Sequence, residues 1–68
     1  MKTVIRTKTY FPPGYFIRVD VVEDNVKGTN EYQLNAFNNY YNTTITLKTI
    51  NIREINQKLK DLGVKIRQ

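Results

Sequence analysis

A complete amphipathic helix is written between Ile50 and Gly63, and it constrains the fold more than any other stretch of the chain. Asn51 is a preferred N-cap residue, and Glu54 follows three positions later, where a capping-box carboxylate reaches back to the cap amide. Ile50 and Ile55 stand at the spacing of a hydrophobic staple. Ile52, Ile55, Leu59 and Leu62 recur at steps of three and four, which stacks them on one helical face. Gly63 suits the left-handed position that closes a helix, and Lys58 and Lys60 lie near the negative end of its dipole. The spacing predicts a helix over 52–62. With a single apolar stripe, that helix needs a flat apolar surface to cover.

Such a surface is encoded ahead of it. Residues 3–11 are rich in β-branched and aromatic types, and Pro12-Pro13-Gly14 then interrupts both helix and ladder. Over 15–23, Tyr15, Ile17, Val19 and Val21 alternate with Phe16, Arg18, Asp20 and Val22. A polar loop around Gly28 leads into 31–37, where Tyr32, Leu34 and Ala36 alternate with Glu31, Gln33, Asn35 and Phe37. Asparagines suited to left-handed turn positions connect this segment to 43–50, in which Ile45 and Leu47 face inward. The expected fold is a small α+β domain covering 1–68. It has a four-stranded antiparallel sheet, with strands near 3–11, 15–23, 31–37 and 43–50, and the C-terminal helix on one face. Val64 and Ile66 alternate with Lys65 and Arg67, a candidate short edge strand over 64–67. The first strand reads as an edge with Ile5 inward beside Thr3, Thr7 and Thr9, so that Arg6, Lys8 and Tyr10 turn away from the helix.

Composition removes whole classes of chemistry. The 68 residues include no Cys and no His, which excludes disulfides, thiolate and imidazole metal sites, an imidazole base and a thiolate nucleophile. The six carboxylates show no metal-loop spacing, even where Glu23, Asp24 and Glu31 flank one loop. No enzyme activity, cofactor or metal is expected. A chain this short gains only a small core, so a homodimer is expected as added support. The opening Met-Lys-Thr-Val-Ile-Arg has no apolar run before its next charge, so neither a signal peptide nor a membrane anchor is expected there. A cytoplasmic or intravirion protein is the default expectation. The Asn-, Ile- and Lys-rich composition suits an AT-rich genome, and small accessory proteins of this kind are common in phages and mobile elements.

Eleven Lys and Arg against six Asp and Glu give a net charge of +5, which favours a polyanionic partner. The leading expectation is non-catalytic nucleic-acid binding through the sheet face away from the helix. Arg6, Lys8, Arg18 and Lys48 would contact phosphates there, and Gln33 and Asn35 would lie near bases. In architecture, the stranded segments and helix over roughly 15–62 resemble the small sheet-reading DNA-binding domains in the arm-binding part of some phage-type integrases. The likeness is one of topology and implies a DNA-reading sheet. The alternative is a protein-binding adaptor or inhibitor that docks on a larger host or viral protein through Tyr10, Phe16, Phe37, Tyr40 and Tyr41. Geometry separates the two. Cations gathered in one field favour nucleic acid, and scattered cations with clustered aromatics favour a protein.

Overall fold

Turn chemistry divides the first part of the chain into hairpins. A computed structural model describes residues 2–65, with β1 (Lys2–Tyr10), β2 (Tyr15–Asp24), β3 (Thr29–Asn38), β4 (Thr43–Thr49) and α1 (Ile52–Asp61). The Pro12 carbonyl accepts the Tyr15 amide at 3.0 Å and closes the first turn. In the second, Asp24 Oδ1 accepts the Val26 and Lys27 amides at 3.0 and 3.2 Å. In the third, Asn38 Oδ1 accepts the Tyr40 and Tyr41 amides, and Asn42 takes the left-handed conformation at φ 53°. The strands form one antiparallel sheet in the order β1-β2-β3-β4.

Element limits shift slightly from the sequence reading. Phe11 lies beyond β1, Ile50 beyond β4, and Leu62 is the helix C-cap. Val64 and Lys65 form no strand, and the remainder of the candidate edge strand, Ile66 and Arg67, lies outside the described residues.

The core is the predicted helix–sheet contact. Ile17, Leu34, Ala36 and Ile55 are closed from solvent, with Val19 and Leu59 almost so. Tyr32, Ile45, Leu47 and Leu62 pack around them. Each fully buried aliphatic side chain stabilises the fold by about 1.5–3 kcal/mol before ordering entropy is subtracted.

α1 is capped at both ends. Asn51 Oδ1 accepts the Arg53 amide at 3.0 Å. Glu54 does not reach back to the cap amide; it accepts the Thr49 hydroxyl, whose oxygen accepts the Asn51 amide at 3.0 Å. Ile50 is exposed, so the expected staple onto Ile55 is not formed. At the other end Gly63 sits at φ 95°, its amide donating to the Lys60 carbonyl and the Val64 amide to the Leu59 carbonyl, a Schellman closure.

One local irregularity reverses the expected faces of β1. Val4 pairs with Val22 and Arg6 with Val21, so a bulge at Ile5 places one extra residue in β1. Because side chains alternate with a period of two, an extra residue turns everything after it to the other face. Thr7 and Thr9 therefore share the outer face with Asp20 and Arg18, while Arg6, Lys8 and Tyr10 share the helix face with Val21, Val19 and Ile17. Ile5, expected in the inner layer, is half exposed.

Candidate functional site

The outer sheet face is assembled row by row from the strand register. Across its end nearest the first and third turns, Phe16 pairs with Phe37, and Phe37 with Thr44. The next row is Thr9, Arg18, Asn35 and Thr46, followed by Thr7, Asp20, Gln33 and Lys48. Phe11 enters from the Pro12-Pro13 turn, its ring meeting that of Phe16 edge to face at 5.2 Å and 73°. Phe11, Phe16 and Phe37 remain 71, 44 and 37% exposed, and together they form an apolar patch rather than scattered single residues. Tyr40 and Tyr41, each 78% exposed, occupy the turn at the same end. The Tyr40 ring lies against Gly14, where a side chain would meet its Cε2 at 2.6 Å.

Further along the face the polar groups answer one another. Asp20 is buried, and its Oδ1 accepts the Thr7 hydroxyl at 2.7 Å and Arg18 Nε at 3.0 Å. Burial alone would raise the Asp20 carboxyl; the Thr7 and Arg18 hydrogen bonds and the Arg18 charge outweigh it and hold the group below the ordinary carboxylate value. Asn35 Oδ1 accepts the Thr46 hydroxyl at 3.2 Å, and Gln33 Nε2 donates to Glu31 Oε1 at 3.0 Å. Val22, which the alternation of β2 puts on this face, is buried, with Val4 and Glu31 as its register partners on either side.

The expected set of cations is divided. Arg18 and Lys48 lie on the outer face, as do Gln33 and Asn35, but Arg18 is matched by Asp20. Arg6 and Lys8 are on the opposite face, where they line a groove between β1 and α1. The aromatic set holds together better. Phe16 and Phe37 are register partners at one end with Tyr40 and Tyr41 nearby, while Tyr10 is turned to the helix side and packs on the core. Phe11 was missed by the sequence reading, which placed it at the end of the first strand. Its position beside Pro12-Pro13 is the signal that it leaves the ladder.

Among the described residues no cluster of carboxylates could hold a metal ion, and no helix is long and apolar enough to cross a membrane. No protein-family model, curated protein or solved structure matches the chain.

Proposed function

We propose that this chain is a non-catalytic protein-binding module, an adaptor or inhibitor that docks on a larger protein through Phe11, Phe16 and Phe37, with Tyr40 and Tyr41 at the rim. One observation carries the reading: three phenylalanine rings are gathered and exposed at one end of a sheet face. Aromatic side chains bring large contact area at a low cost in rotamer entropy, which is why they dominate interface energetics. The charge layout supports the same choice. A phosphate surface on this face would need several free cations, yet Arg18 is paired with Asp20, Arg6 and Lys8 belong to the other side, and of the four expected cations that leaves Lys48. The same patch is our candidate for a homodimer contact when no larger partner is bound. The composition suits a cytoplasmic accessory protein of a phage or mobile element.

The test is capture from a nuclease-treated extract of the native source, comparing wild type with a folded Phe16→Ser/Phe37→Ser variant. A protein retained by wild type and lost by the variant supports the reading. Binding to labelled duplex DNA with a log–log salt slope of about −3.6, the value for four phosphate contacts, would overturn it if Arg18→Gln reduces the slope by about one unit.

A further inference from the structure

The helix side of the sheet carries a second surface, separate from the phenylalanine end. Strands in a sheet lie about 4.8 Å apart, so four of them span roughly 15–19 Å, whereas a helix with its side chains is about 10 Å wide. One helix covers about half of such a face. α1 packs on β3 and β4, and the half over β1 and β2 is left as a groove of about 400 Å³. Its floor is aliphatic: the core side chains Val19, Ile55 and Leu59 close the bottom, and Val21 from β2 and Ile52 from α1 present the apolar surface left open. Half-exposed Ile5, displaced by the bulge, extends that floor at one edge.

The walls are cationic. Arg6 and Lys8 line the β1 side, and no Asp or Glu lines the groove. Asn56 lines the helix side, and Arg53 and Lys60, three residues before it and four after, continue the same exposed helix flank. The sole ion pair among the described residues is Arg18–Asp20 on the other face, so these four cations have no carboxylate partner there. Glu23 shares this sheet face but lies outside the groove lining.

We infer that the groove receives one amphipathic helix of a protein partner, its apolar stripe on the aliphatic floor and its flanking carboxylates against Arg6 and Lys8. The uncovered strip is no wider than one helix, and the charge selects an acidic one. The α1 helix of a second copy is a poor occupant, because its apolar stripe, Ile55 and Leu59, is already buried on its own sheet. Single-stranded nucleic acid is disfavoured by the floor, which is aliphatic; the tyrosines at the groove, Tyr10 and Tyr32, are packed on the core rather than offered as stacking platforms.

The test is selection of a displayed library of helical peptides against the wild-type protein, followed by titration of the best peptide into ¹⁵N-labelled protein. The selected sequences should be enriched in Glu and Asp beside a Leu or Ile stripe. The peptide should shift the amides of Arg6, Lys8, Val21 and Asn56, and leave Phe16 and Phe37 in place. Arg6→Glu/Lys8→Glu should weaken it at least tenfold, and the neutral Arg6→Gln/Lys8→Gln should weaken it less, with melts of both variants close to wild type. Phe16→Ser should bind as wild type does, which keeps this surface distinguishable from the phenylalanine end. Neutral or basic selected sequences, shifts confined to the outer face, or an oligo-dT strand that displaces the peptide would each overturn the inference.

Discussion

Replacing Asp20 with asparagine tests whether a buried carboxylate, rather than a phosphate-binding row, occupies the middle of the outer face. The Thr7 hydroxyl bond at 2.7 Å is sheltered and charge-assisted, a class that contributes about 1.5–3 kcal/mol. The Arg18 contact at 3.0 Å involves a guanidinium side chain that is 53% exposed, so solvent screening leaves it about 0–1 kcal/mol. Asparagine keeps a neutral acceptor in the same place, roughly half as strong, so Asp20→Asn should cost about 1–2 kcal/mol at pH 7. For a domain of this size each kcal/mol lowers the melting temperature by about 4–8 °C. The sign of the pH dependence follows from the lowered carboxyl. Its stabilisation is complete above the unfolded value near 3.8 and is lost as pH falls through the lower folded value. Asp24 is also held low, chiefly by the Lys27 amide against a smaller burial effect and with help from the Val26 amide, but it titrates alike in both proteins and cancels from the difference. Thermal melts by circular dichroism at pH 7 and pH 2 should therefore show a gap at the higher pH that shrinks at the lower. Coincident melts at pH 7, or a gap undiminished at pH 2, would refute the reasoning.

Other substitutions probe the remaining layers. Ile55→Ala should cost about 2–5 kcal/mol, most of the stability of so small a domain, whereas Gln57→Ala on the exposed side of α1 should stay within about 0.5 kcal/mol in urea melts. Gly14→Ala should cost about 1–2 kcal/mol from its left-handed backbone and push the Tyr40 ring aside, visible as a changed near-ultraviolet tyrosine signal. Sedimentation equilibrium should show reversible association of the wild type that Phe16→Ser/Phe37→Ser weakens. Identical monomeric behaviour of both at high concentration removes the dimer.

The helix and the four strands were legible in outline because their signals are local. Asn51 and Gly63 mark the ends of α1, and the alternation in β2 runs unbroken from Tyr15 to Val22. The face of β1 was not legible. In Thr3-Val4-Ile5-Arg6-Thr7-Lys8-Thr9 every other residue is threonine or apolar, and such a pattern accepts either face after a one-residue bulge. What decides it lies in the partners: Tyr10 gains the core, Thr7 gains Asp20, and Arg6 and Lys8 keep their charges in solvent beside α1. That single shift separated the cations and changed the functional reading. Phe11 escaped for a similar reason, since its edge-to-face contact with Phe16 depends on the path of the Pro12-Pro13 turn. The capping of α1 was right in place but not in detail, because Thr49 intercepts Glu54 before it reaches the Asn51 amide.

The division of cations from phenylalanines rests on the register between β1 and β2, and nuclear Overhauser contacts across that pair measure it directly. The account predicts backbone contacts for Lys8 with Val19 and for Tyr10 with Ile17, contacts from the Tyr10 ring to methyls of the helix–sheet core, and an interruption of the ladder at Ile5. An unbroken ladder with Val19 opposite Thr7 or Thr9, and Arg6 and Lys8 on the face of Arg18, would contradict it. The cations and aromatics would then share one surface.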